Sequence, residues 1–129
     1  IVMIGAHLDS WDLGQGAVDD GAGVAIVSAA AALIAKAGRR PRRTVRVVLF
    51  GNEENGFDGA RHYGDRYGSE PHQLVAESDF GGGAVYRLGS RVQPAALPLL
   101  AQMQQRLAPL GVEPGPNDAS PGPDAAVLM

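Results

Sequence analysis

The stretch Ile1-Val-Met-Ile-Gly5-Ala-His7-Leu-Asp9-Ser-Trp11-Asp12-Leu-Gly-Gln-Gly-Ala-Val-Asp19-Asp20-Gly-Ala-Gly23 decides the fold. Ile1 to Ala6 is a short apolar run that breaks at a histidine, the pattern of a buried strand. From Asp20 to Ala37 the pattern becomes helical, with Asp20 at the N-cap, an Ala-rich apolar body, Lys36 in the last turn and Gly38 just beyond. A strand, a glycine-rich loop and a helix thus follow one another, and a histidine and several carboxylates fill the junction. Nitrogen and oxygen donors placed so closely are the donors that zinc accepts.

The same alternation continues outward. Thr44 to Phe50 is a β-branched strand, and Gly59 to Tyr67 a short helix. Leu74 to Ser78 and Val85 to Leu88 read as further strands, and Ala95 to Leu107 as a helix between Pro94 and Pro109. Glu113 to Pro123 reads as a loop, with a new helix from Asp124. Strands alternating with helices predict an α/β layered fold around a mainly parallel sheet. The first helix is apolar nearly all round, so it should be covered on more than one side, in part by chain outside this sequence.

Composition sets the limits. With 129 residues the chain suits one core. A hydrophobic fraction of 45% with only 5% aromatics predicts a core of Val, Leu, Ile and Ala, globular and not disordered. The net charge of -3 argues against a nucleic-acid partner, and the basic run Arg39-Arg-Pro-Arg-Arg43 reads as a solvated turn. There is no cysteine, so any zinc must be held by His, Asp and Glu. No signal peptide or membrane span is visible, and the chain opens at Ile1 as if inside a longer protein, which leaves localisation unassigned.

In open α/β sheets functional residues collect beyond the carboxyl ends of the strands. His7 and Asp9 follow the first strand, Glu53 and Glu54 follow Thr44 to Phe50, and Asp79 follows Leu74 to Ser78. An acidic surface without function gives no reason for each group to end an apolar strand. His7 and Asp9 are two apart in extended chain and point the same way, so Asp9 can accept a hydrogen bond from the imidazole nitrogen that does not bind metal. Glu53 and Glu54 are neighbours whose side chains diverge at a strand end, so one can ligate while the other faces an attacking water. Asp19 precedes Asp20-Gly-Ala-Gly23, small residues that let the helix start approach the sheet.

The ordered set His7-Leu-Asp9-Ser, Asp19-Asp20-Gly-Ala-Gly, Glu53-Glu54 and Glu77-Ser-Asp79 resembles the co-catalytic zinc exopeptidases of the bacterial leucyl aminopeptidase and carboxypeptidase Q type. The run from His7 to Asp20 is most similar to the carboxypeptidase Q branch. The resemblance implies a three-layer α/β/α sandwich with a mainly parallel mixed sheet, of which this chain is an incomplete part of one catalytic domain. It implies that His7 and Asp79 bind one zinc, Glu54 the other, and Asp19 bridges them, with a cis Asp19–Asp20 peptide. Glu53 is implied to be the general base, with Asp9 supporting the catalytic machinery. It further implies a final histidine on the Glu54 zinc, which this sequence does not contain, since His62 and His72 fall between the Glu pair and Asp79. The full-length parent is then expected to be a metallopeptidase acting on peptides or dipeptides, with a homodimer as one assembly it allows and the isolated chain inactive.

Each residue has a plainer reading. His7 can be a satisfied core histidine, Asp19 a helix cap (a task Asp20 fills better), Glu53 and Glu54 an exposed acidic turn, and Asp79 a turn residue before Phe80-Gly-Gly-Gly. Glu77 reads as structural, Asp12 as rim or solvated loop, and Trp11 as a packing aromatic or a substrate contact. Two other functions fit the same fold. One is a non-catalytic binding module, as in transferrin-receptor ectodomains, and the other is a single-zinc glutaminyl cyclase.

Overall fold

A computed structural model describes residues 1–79 and 81–128; Phe80, at the start of the turn expected after Asp79, lies outside them. The chain divides into two compact units, Ile1–Gly82 with Pro121–Met129, and Gly83–Ser120.

The first unit holds a three-stranded parallel sheet in the order β2-β1-β3, made of β1 (Val2–His7), β2 (Val45–Phe50) and β3 (Leu74–Glu77). The chain leaves β1 toward β2 through α1 (Gly21–Lys36), then returns past β1 to β3 through α2 (Glu53–Gly56) and α3 (Asp58–Tyr67). β1 is therefore the point at which the winding reverses, the position where an open parallel sheet forms a crevice at the strand carboxyl ends.

Strand alternation assigns the layers. Met3, His7, Val48 and Phe50 share a face by register, and there Met3 and Phe50 meet Ala60 and Tyr63 of α3 in the buried core. Phe50 and Tyr63 pack edge to face, centroids 6.2 Å apart. Leu128, just past α5 (Pro123–Val127), closes over the same cluster. Val45, on the opposite face, lines a surface cleft with Ala31, Ile34 and Ala35 of α1. Helices thus cover both faces of the sheet. In α1 only Gly23 and Val27 are buried, and Ile26 and Leu33 are exposed.

At the amino ends of the strands, Arg46 donates to the Tyr63 hydroxyl (2.9 Å) and to Glu70 (2.8 Å), while Tyr63 meets His72 Nε2 at 2.8 Å. His72 is consumed in that network and His62 is exposed. The arginines of Arg39–Arg43 are exposed, as a solvated turn requires.

The second unit pairs β4 (Arg87–Leu88) in parallel with β5 (Glu113–Pro114), with α4 (Leu97–Leu107) between them. Asn117 ties this unit together, accepting from Ser90 Oγ and Val92 N and donating to Val92 O. Two expectations change here. The strand from Val85 shrinks to Arg87–Leu88, and the region read as loop supplies its partner at Glu113–Pro114. Neither segment is long enough to show a period of two, so pairing alone defines them.

Candidate metal centre

His7 is the last residue of β1, not the first after it, and is 1% exposed. Its imidazole plane is fixed from behind, where Nδ1 lies 3.0 Å from the Asp9 backbone oxygen. Nε2 faces forward, 2.9 Å from Asp19 Oδ1 and 3.3 Å from Asp79 Oδ1. A second set is His7 with Glu53 and Glu54; within each trio the ligand-capable atoms lie within 4.8 Å of one another. All the residues expected at the metal, from four separate chain segments, therefore converge.

The Asp19–Asp20 peptide is cis. Asp20 is the N-cap of α1, its Oδ1 accepting from Gly23 N at 2.9 Å while Oδ2 accepts from the His7 amide at 3.0 Å. One buried carboxylate thus locks the helix start to the strand end, and Asp19 is left to face His7. Glycine is required at 23, because a Cβ there would collide with both Asp20 carboxylate oxygens and with the Ser78 carbonyl. This second task of Asp20, holding the backbone of the metal-facing histidine, has no local signal beyond an acidic helix cap.

Two expectations about orientation are corrected. Glu53 and Glu54 open a four-residue helix, not a strand end, after Asn52 in the left-handed region (φ 59). Asn52 makes no side-chain cap. The Asp9 carboxylate caps α2 instead, Oδ1 accepting from the Glu53 amide (3.0 Å) and Oδ2 from the Glu54 amide (3.2 Å). It is 3.8 Å from His7 Nδ1, too long for the hydrogen bond that spacing alone suggested. Two backbone amides outcompete one imidazole N–H because they satisfy both oxygens and complement the helix N-terminus.

The electrostatics follow from crowding. Burial would depress the His7 pKa, but the charges of Asp20, Glu53 and Asp79 outweigh it and raise the pKa overall. Burial pushes Asp9 up, but the amides of Glu53 and Glu54 outweigh it and hold it below its ordinary range. Glu53, 8% exposed, is raised by burial and then by Asp79, Glu54 and Glu77. Glu54 is raised by desolvation and then by Asp19, against a hydrogen bond from Trp11. Trp11 itself is exposed at the rim, as is Asp12.

Glu77 is structural as expected, its two oxygens accepting the Asp124 and Ala125 amides at the start of α5. Asp124 was not anticipated at all. It is 0% exposed with both carboxyl oxygens unpartnered, and burial followed by the charges of Glu77 and Glu53 pushes its pKa up to about 7. Following Ser-Pro-Gly-Pro, it reads in sequence only as the start of a helix.

The donor set fits zinc. A neutral imidazole nitrogen and facing carboxylates are its usual ligands, and Glu54 Oε1 is buried with no protein partner, which a cation would supply.

Comparison with known proteins agrees with the geometry. Carboxypeptidase Q of Xenopus laevis is 39% identical over 114 residues, 87% of this chain and 24% of that protein. Carboxypeptidase Q of Rattus norvegicus is 37% identical over 121 residues, 92% of this chain and 26% of that protein. The chain thus spans about a quarter of the length of these curated relatives. A crystal structure of a Peptidase M28 precursor from Shewanella amazonensis SB2B superposes with a TM-score of 0.91 at 49% identity, covering 98% of this chain and 29% of that one. With Peptidase family M28 matching residues 1–123 and the expected ligand types gathered at the reversal point of the sheet, the chain belongs to peptidase family M28.

Proposed function

We propose that this chain carries most of the two-zinc site of a metallo-exopeptidase, and that the full-length protein hydrolyses terminal bonds of peptides or dipeptides. The observation that carries the reading is the convergence of His7, Asp19, Asp79, Glu53 and Glu54, with a buried Glu54 oxygen lacking any protein partner. His7 and Asp79 would hold one zinc, Asp19 would bridge, and Glu54 would hold the second. That second ion needs a further ligand, since neither His62 nor His72 belongs to either cluster. Zinc bound there would supply Lewis-acid chemistry, lowering the pKa of water and polarising the scissile carbonyl.

Glu53 does the proton work. Its carboxylate takes a proton from the attacking water and returns it to the leaving nitrogen, and its raised pKa suits a base that must also act as an acid. Asp9 fixes the α2 backbone beneath both glutamates, and Asp20 fixes His7.

The test is Glu53→Gln in the full-length protein. Amino-acid release from dipeptides and short peptides should fall by about 10² to 10⁴ in kcat at constant zinc content. Undiminished hydrolysis would remove the base assignment. Cyclisation of an N-terminal Gln without amino-acid release would instead favour the cyclase, and no bound zinc together with no hydrolysis the binding module.

A further inference from the structure

A solvated turn explains why the arginines of residues 39–43 are exposed, but not why the positive charge gathers there. Residues 21–52 hold six of the chain's 11 Lys and Arg and none of its 14 Asp and Glu, so the net charge of -3 divides into +6 in this segment and -9 elsewhere. Five of the six, Lys36, Arg39, Arg40, Arg42 and Arg43, fall where α1 ends and β2 is about to begin. α1 starts at the metal-facing groups and is 16 residues long, which puts this basic end roughly 24 Å from them, at the amino ends of the strands.

An open cleft of about 550 Å³ is cut into that end. Its apolar part is made by Ala31, Ile34 and Ala35 of α1 and by Val45 at the start of β2, and Arg40, Arg42 and Arg43 line the rest with their neighbours. Arg43 is tethered, donating to Gln73 Oε1 at 3.3 Å. Among the described residues Arg40 and Arg42 have neither a hydrogen-bond nor an ion-pair partner.

The volume is that of a small-molecule site, in which apolar walls hold the body of a ligand and a few polar groups fix one end. Guanidinium forks match the oxygens of a carboxylate or a phosphate. Two unpaired forks beside an apolar floor therefore complement an anion that also carries a hydrocarbon body. A flat bilayer surface does not reach a recessed floor, and residues 21–49 contain no aromatic side chain on which a nucleic-acid base could stack.

We propose that this cleft binds a small anionic amphiphile, its carboxylate or phosphate head on Arg40 and Arg42 and its hydrocarbon chain along Ala31, Ile34, Ala35 and Val45. The site is separate from the metal centre and does not depend on the peptidase reading.

The experiment titrates octanoate and octyl phosphate, each below its micellar concentration, into full-length zinc-loaded protein by calorimetry. Inorganic phosphate and octanol supply the head and the tail alone, and phosphatidylserine vesicles form a separate arm. At least one amphiphile should bind at a single site, and the tighter of the two identifies the head. Its hexyl homologue, two methylenes shorter, should bind about tenfold more weakly, as should phosphate and octanol. The double variant Arg40→Ala/Arg42→Ala should weaken binding about tenfold or more, with zinc content and melting temperature unchanged. Ala35→Glu, at an exposed position, puts a carboxylate beside the tail and should abolish binding.

No saturable binding of either amphiphile, an affinity unchanged in the arginine double variant, or phosphate binding as tightly as the amphiphile would each overturn the proposal. Binding that survives the double variant but is lost on removing zinc would place the anion on the metal, and binding to the vesicles alone would make this face a membrane contact. Either result overturns it as well.

Discussion

Asp9 offers the sharpest test, because its spacing and its contacts give it different tasks. Spacing from His7 puts its carboxylate on the imidazole; the structure puts it on the amides of Glu53 and Glu54, at 3.0 and 3.2 Å. A hydrogen bond to a charged group contributes about 1.5 to 3 kcal/mol. Asp9 is partly open to water, which can replace some of this, so Asp9→Ala should cost about 2 to 3 kcal/mol in urea denaturation of the full-length protein. Asp9→Asn keeps one acceptor and should cost about half as much. Because α2 carries both glutamates, kcat should fall about ten- to a hundredfold in the alanine variant.

The pH dependence follows from the net lowering of the Asp9 pKa. The ordinary value is 3.8, so its contribution is complete above that pH and disappears as pH falls through the lower folded-state value. The gap between wild type and Asp9→Ala should therefore close in acid. A loss confined to zinc affinity, with α2-dependent stability and kcat unchanged, would refute the capping role and restore the imidazole contact.

Two further outcomes can be measured. Gly23→Ala forces a methyl into the Asp20 carboxylate and the Ser78 carbonyl; loss of the cap together with overpacking should cost about 2 to 4 kcal/mol, and an unchanged melting temperature would show that Asp20 does not lock α1 to His7. The raised His7 pKa stabilises metal-free protein below the ordinary value of 6.5, and that contribution is lost as pH rises through the folded-state value. Since zinc requires the neutral imidazole, competition with a chelator should show affinity falling about tenfold per unit of acidification below the His7 pKa, and a flat profile would argue that His7 is not a ligand.

Much of this was legible before any coordinates. Val45–Phe50 is rich in β-branched and apolar residues, Gly21–Lys36 is Ala-rich with Asp20 before it, and the site motifs lie at or beyond the strand carboxyl ends, so local periodicity and capping chemistry carried the layered fold. The short pairs Arg87–Leu88 and Glu113–Pro114 were not legible, since two residues hold no period and their partner lies far along the chain.

By itself the sequence determined which residue types stand at the strand ends and in the turns and helix starts beyond them: His7, Asp19, Glu53, Glu54 and Asp79, together with an Asp20 cap and no thiolate alternative. Those are properties of neighbours along the chain. Only the tertiary structure decided what each carboxylate faces. Asp9 reaches across 44 residues to cap the helix of the glutamates, Asp20 holds the His7 amide, and Asp124 is fully buried with its amide on Glu77. A carboxylate binds whichever donors packing brings within about 3 Å, and it is protonated or ionised according to the water and charge that packing leaves around it. Neither quantity is encoded within a few residues of the group itself.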